Sequence, residues 1–177
     1  MGVVYGGAGE GRPRSTLTLP FYTAAIPLTF RPALPEEAER LSHLAFAAKA
    51  HWGYSAELMD ACREDLTLSE NCVREGLTTV GKPDGRIVGF YRLANPPEGP
   101  SLNDLFVSPE SIGAGVGQAL WQHAAGLARS LGWPFVLLDS DPHAEGFSRK
   151  MGASKGGEVP SAVFPGRRLP RMRFDLT

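Results

Sequence analysis

The chain has 177 residues, a formal net charge of −1 and 42% hydrophobic residues, which suits one soluble domain with a sizeable core. Lys and Arg number 18 against 19 Asp and Glu, so charge gives no reason to expect nucleic acid as a partner. Cys62 and Cys72 make no disulfide framework and the four histidines have no metal spacing, so a cytoplasmic protein with reduced thiols and no metal is expected.

Residues 1–25 open with Gly2, Gly6, Gly7, Gly9 and Gly11, without a period, and are expected to be a flexible extension before a domain over 26–177. Leu17–Phe30 is uncharged behind Arg12 and Arg14, which allows a signal peptide, but Pro20 and Pro27 interrupt it. No apolar run reaches the roughly 18 residues a membrane span needs, so no membrane partner is expected.

Ile26–Arg31 reads as a strand. Pro35-Glu36-Glu37 opens a helix whose apolar stripe is Ala38, Leu41, Ala45, Ala48 and Trp52. Gly53 breaks it, and Ser55 caps a second helix. A strand around Thr78–Val80 runs into the turn Lys82-Pro83-Asp84-Gly85, and Arg86–Leu93 returns as its hairpin partner. Ser101–Val107 is the next strand. The glycine-rich turn Gly113-Ala114-Gly115-Val116-Gly117 follows, and a helix runs from Gln118 to Leu131. Phe135–Leu138 reads as a buried strand. Asp141 then caps a short helix with Pro142 in its first turn and Gly152 as its stop. Ser154–Val159 and Leu169–Asp175 complete the strands.

Glycines between a strand and a helix let successive backbone N–H groups converge at the positive end of the helix dipole, where an anion is stabilised. On so short a match, glycines at such a junction more often make only a tight turn. The charge distribution adds a hint. Residues 36–75 carry nine acidic and four basic side chains, and residues 149–177 seven basic and two acidic. A polyanionic cofactor suits the basic end and a cationic acceptor the acidic end, although a solvated surface accounts for both.

The glycine turn and the later helix together resemble the GCN5-related N-acetyltransferase superfamily. Its cofactor motif, Gln/Arg-x-x-Gly-x-Gly/Ala, falls on Ile112-Gly113-Ala114-Gly115-Val116-Gly117. Its later motif, Asn-x-x-Ala-x-x-Phe/Leu-Tyr-x-x-x-Gly, falls on Asp141, Ala144, Phe147, Ser148 and Gly152. Ile112, Asp141 and Ser148 depart from the usual Gln or Arg, Asn and Tyr.

The resemblance implies an α/β (α+β) fold. A mixed, mostly antiparallel sheet of about seven strands would be flanked by helices in the order β-α-α-β-β-β-α-β-α-β-β and splayed between its fourth and fifth strands. It implies acetyl transfer from acetyl-CoA, as cosubstrate, directly to a primary amine of a small molecule or peptide. Backbone groups of Phe106 and Val107 would hold the acetyl-pantetheine arm, with the Val107 N–H polarising the thioester carbonyl. The segment Ile112, Gly113, Ala114, Gly115, Val116, Gly117 and Gln118 would hold the pyrophosphate, and Asp141, Ala144 and Phe147 would complete the cofactor site. A homodimer is compatible with the family.

A lysine-like amine with a pKa of ~10.4 is neutral in roughly 1 molecule in 2,500 at pH 7, so a base, direct or through water, would help. Asp104 is the first candidate, with solvation or pairing to a cation as the alternative; Asp139 is the second. Ser148 stands where the family's general acid stands. For the acceptor, His51, Trp52 and Tyr54 form an aromatic group between the first two helices, either covering the amine or packing the junction. Tyr91 is a further candidate. A different reading is a non-catalytic acyl-CoA-binding regulatory module, which the replaced Tyr and Gln/Arg favour. A nucleotide-binding enzyme of another fold is the third, although the loop lacks a P-loop Lys-Ser/Thr.

Overall fold

The computed structural model describes residues 27–176 and the backbone of Gly2–Val4. In chain order its elements are β1 (Gly2–Val4), β2 (Thr29–Pro32), α1 (Ala38–Ala50), α2 (Ala56–Ala61), α3 (Glu70–Glu75), β3 (Leu77–Lys82), β4 (Gly89–Ala94) and β5 (Ser101–Val107). Then come α4 (Val116–Ser130), β6 (Phe135–Asp139), α5 (Glu145–Lys150), β7 (Ser154–Pro160) and β8 (Arg168–Asp175). The expected flexible extension lies outside the described residues apart from β1, a strand that aperiodic glycines do not announce.

Seven strands follow one path, β2-β3-β4-β5-β6-β8-β7, and β1 lies beside β5. The pairs are antiparallel except β5–β6 and β1–β5. This is the mixed, mostly antiparallel sheet that the family resemblance implies. The order departs from expectation by α3 as well as β1. Ser69 caps α3, accepting from the Cys72 N–H at 3.1 Å, and six residues are too few for a helical period to show. The β3–β4 turn sits where Pro83, Asp84 and Gly85 predict it. Asp84 and Gly85 have φ of 46° and 87°, and the Arg86 N–H donates to the Pro83 carbonyl at 3.1 Å.

The two sheet faces bury separate clusters. Leu105 and Val107 pack with Leu120, Trp121 and Ala124 of α4 on one face. Phe90 and Phe106 pack with Leu41, Ala45 and Ala48 of α1 on the other. Alternation along β5 therefore serves both helical layers. Each of the fully buried large side chains contributes about 1.5–3 kcal/mol of apolar burial. Leu120 of α4 packs onto Gly89, where a Cβ would meet Leu120 Cδ1 and the Phe106 carbonyl oxygen at 2.7 Å each.

The splay that places the site lies between β5 and β6. These strands share the pair Ser101↔Leu137 and no further one. Beyond it they part, and the gap opens toward the turn after β5 and the N-terminal end of α4.

Candidate functional site

The turn after β5 begins with a single 3₁₀ turn, Pro109–Ser111. Gly113 and Gly115 then adopt φ of 83° and 82°, the left-handed region that a side chain disfavours. Gly115 is the N-cap of α4, so the helix starts at Val116, two residues before the expected Gln118. A Cβ on either Gly113 or Gly115 would meet nothing within 4 Å. The glycines are required by backbone conformation, and the space above them is open. The first-turn N–H groups of α4 lack intrahelical partners, and α4 has no acidic residue in its first turn. The cradle thus fits a pyrophosphate. Ile112 packs against the α4 core, and Gln118 is exposed at the first turn.

The edge of β5 has a defined polarity. The Ser108 N–H donates to the Val88 carbonyl at 2.8 Å, and Phe90 faces Phe106 across the β4–β5 ladder. Antiparallel pairing alternates the direction of successive backbone groups. Ser108 and Phe106 therefore turn theirs toward β4, while Leu105 and Val107 turn theirs toward the gap. The Val107 N–H, expected to polarise the thioester carbonyl, thus faces the gap. The Phe106 backbone, expected to share that task, is committed to β4; Phe106 gives the site its ring instead, and Leu105 supplies the second gap-facing amide.

On the α1 side, Asp104 and Phe106 line a cavity of about 30 Å³ with Lys49, Cys62, Asp65, Leu66, Asp141 and Arg167, room for about one water. Asp104 is 3% exposed and accepts from Arg92 Nε at 2.5 Å across the ladder. Burial raises its pKa above the usual carboxylate value, and Arg92 only partly offsets that rise. A buried carboxylate with a raised pKa is a better base than a solvated one.

Asp141 is 1% exposed and gathers four donors. They are Lys49 Nζ at 3.0 Å, the Tyr54 hydroxyl at 2.6 Å, Arg167 Nη2 at 2.9 Å and the His143 N–H at 3.0 Å. Burial pushes its carboxyl pKa up, but Lys49, Tyr54 and the His143 N–H outweigh burial and hold it below the ordinary value. The same environment raises the Tyr54 pKa, mainly through burial and then through Asp141. Lys49 and Arg167 also lie 5.1 and 4.9 Å from the centre of the Tyr54 ring. Asp141 therefore ties α1, the α1–α2 link and the β7–β8 connection to the turn before α5. Its folded-state pKa is depressed, so its stabilisation is fully present above the usual aspartate value and is lost as pH falls through the lowered one. Asp141→Asn leaves two inward cations without a carboxylate and is expected to cost about 3–5 kcal/mol, read as a lower melting temperature.

The expected acceptor residues divide. Trp52 stacks on His143 at 5.0 Å, and Tyr54 meets the same ring edge-on at 5.4 Å. Tyr54 also donates to Asp141, and His51 lies exposed against Trp52. Tyr91 does not join them. It is wholly buried under α4 on the opposite face, 2.7 Å from His123 Nδ1. The expected acceptor role of Tyr91 is thus replaced by a core one. Ala144 and Phe147 are buried at the start of α5, Phe147 against Trp121. Ser148 is 0% exposed, and its Oγ has no hydrogen-bond partner among the described residues.

Asp139 forms a two-bond pair with Arg171 at 2.7 and 2.8 Å. Lys49, Arg92 and Arg167 are the site residues that sequence reasoning missed. Lys49 is the one with a signal, four residues after Ala45 on the inward stripe of α1. Much of the C-terminal basic excess is already paired: Arg149 with Glu145, Lys155 and Arg168 with Glu158, and Arg173 with Asp175. Among the described residues no group of three or more His, Cys, Asp or Glu could hold a metal ion, and no helix is long and apolar enough to cross a membrane.

The Acetyltransferase (GNAT) family profile matches residues 39–153, from the start of α1 to the end of α5. A GCN5-related N-acetyltransferase from Rhodopseudomonas palustris superposes with a TM-score of 0.70 at 24% identity, covering 83% of this chain and 94% of that one. The PaiA N-acetyltransferase of Thermoplasma acidophilum, solved with coenzyme A, gives 0.64 at 20% identity over 84% and 99% of the two chains. YncA of Salmonella typhimurium, solved with acetyl-CoA, gives 0.59 at 18% identity over 85% and 95%. These likenesses are of fold. The chain has no significant match among curated protein sequences.

Proposed function

We propose that this chain, which belongs to the GNAT family of acetyltransferases and is an acyltransferase, moves an acetyl group from acetyl-CoA directly to a primary amine. The observation that carries the reading is the parting of β5 from β6 above an open glycine cradle, with Asp104 buried at the same gap. When bound, acetyl-CoA supplies the acetyl thioester. The first-turn N–H groups of α4 and the Gly113–Gly117 turn hold its pyrophosphate. The gap-facing amides of Leu105 and Val107 hold the arm, and the Val107 N–H stabilises negative charge on the carbonyl oxygen as it develops.

Asp104, directly or through the one water its cavity can hold, takes the proton from the attacking amine. Its raised pKa suits that task. Ser148 offers a buried hydroxyl with no hydrogen-bond partner among the described residues, available to the departing sulfur. A thiol has a pKa of about 8.5, so its thiolate leaves near neutral pH with little help. Ser148→Ala is therefore expected to lower kcat by less than about tenfold, well short of the 10²–10⁴-fold typical of an essential acid, as measured by thiol release.

A cationic acceptor is favoured by the wider groove beside α1. It has a volume of about 610 Å³ and is lined in part by three carboxylates, Glu36, Glu39 and Glu70, against one cation, Arg63, which lies over the Phe46 ring. Leu66 lines both this groove and the Asp104 cavity. Thiol release from acetyl-CoA over a panel of mono-, di- and polyamines and basic peptides tests the reading. Turnover of cationic amines supports it. Tight acetyl-CoA binding with no turnover on any amine would favour the acyl-CoA-binding regulatory module instead.

A further inference from the structure

The acetyl-transfer chemistry gives β1 no role. Gly2–Val4 pairs in parallel with β5 in the register Gly2↔Asp104, Val3↔Leu105 and Val4↔Phe106. This pairing uses the edge that β5 exposes after parting from β6. Besides β5, β1 contacts β6 and the 3₁₀ turn Pro142–Ala144. It therefore fills the gap between the two strands and does not lie outside the sheet. An open strand edge is a row of unpaired donors and acceptors that favours an added strand. The gap-facing amides here are those of Leu105 and Val107, the same groups that the acetyl-pantetheine arm requires. Two extended backbones cannot share one edge.

We propose that the gap-facing edge of β5 is a binding surface for an extended peptide backbone. Its occupant in the free protein is Gly2–Val4 of this chain, and acetyl-CoA binds only when that strand has left. The inference rests on the acetyltransferase reading of the gap. The competitor belongs to the same chain, so its local concentration does not depend on protein concentration. The apparent dissociation constant for the cofactor is then the intrinsic one divided by the fraction of open molecules. Three residues of pairing contribute only a few hydrogen bonds. Acetyl-CoA therefore displaces β1, with its apparent affinity reduced by about three- to thirtyfold.

Val3→Pro and Val4→Pro test this. Neighbouring residues of a strand direct their N–H groups to opposite edges, so one of the two prolines removes a donor to β5. Calorimetric titration of acetyl-CoA into the parent and both variants is paired with hydrogen exchange on the free proteins. At least one variant is expected to bind about three- to thirtyfold more tightly, with kcat at saturating acetyl-CoA unchanged. The amides of Leu105 and Val107 are expected to exchange faster in that variant than in the parent. Equal affinity in all three proteins overturns the competition and leaves the acetyltransferase reading standing, whether or not exchange changes. Absence of acetyl-CoA binding in all three overturns the cofactor reading and the competition with it.

Discussion

Asp104→Asn is expected to lower kcat by about 10²–10⁴-fold while leaving acetyl-CoA affinity unchanged. The amide keeps the size of the side chain and removes its ability to take a proton. The effect is largest below about pH 8, because at higher pH the amine loses its own proton more readily. Burial places the Asp104 pKa above its ordinary value. The parent's kcat/KM should therefore climb as pH rises through that raised value, and the variant should lack this limb. Arg92 loses its partner across the ladder, so a melting curve must accompany the kinetics. A variant with the parent's rate and pH profile removes Asp104 from the mechanism.

The second large effect is expected at the cradle. Gly115→Glu should weaken acetyl-CoA binding by two decades or more, since like charges brought together without solvent cost several kcal/mol. Gly115 has φ of 82°, so any side chain there adds backbone strain of about 1–3 kcal/mol. Gly115→Ala shares the strain and lacks the charge. The alanine variant should thus lose melting temperature but far less affinity. Equal binding by the parent and Gly115→Glu would mean that the pyrophosphate lies elsewhere.

The two motifs that were legible in the sequence are those written in backbone-determining residues. Gly113 and Gly115 announce left-handed conformations at a strand–helix junction. Asp141-Pro142 announces a capped start, and the Asp141 carboxylate does accept from the His143 N–H. Hairpin β3–β4 was legible for the same reason, because Pro83, Asp84 and Gly85 fix a turn locally. The side-chain cluster was not legible, because its members meet only through tertiary packing. Lys49 and Arg167 are 118 positions apart in sequence and converge on Asp141. No periodicity in the stretch from Ser161 to Arg168 indicates which of its two arginines turns inward. Tyr91 was misread because a tyrosine in a buried strand alternates between faces, and only the register decides that it lies under α4 beside His123. The Phe106 amide was misassigned for a similar reason: the side to which a backbone group points is set by the ladder partner.

Among these groups Asp141 binds the site together more than it reacts. Its carboxylate is saturated by Lys49, Tyr54, Arg167 and the His143 N–H, and its pKa is depressed, so it is a poor base. Asp104, with a raised pKa and one arginine partner, is the better one. On the proposed mechanism the two buried carboxylates, with pKa values displaced in opposite directions, divide structural and chemical roles.

The central claim is that the gap between β5 and β6, with the glycine turn at its mouth, receives acetyl-CoA. Calorimetric titration of the parent and of Val3→Pro and Val4→Pro with acetyl-CoA, with CoA and ATP as parallel ligands, tests it most directly. The account predicts saturable one-to-one binding of acetyl-CoA and of CoA, and none of ATP. Heat from ATP alone, or from none of the three ligands in any of these proteins, would contradict it.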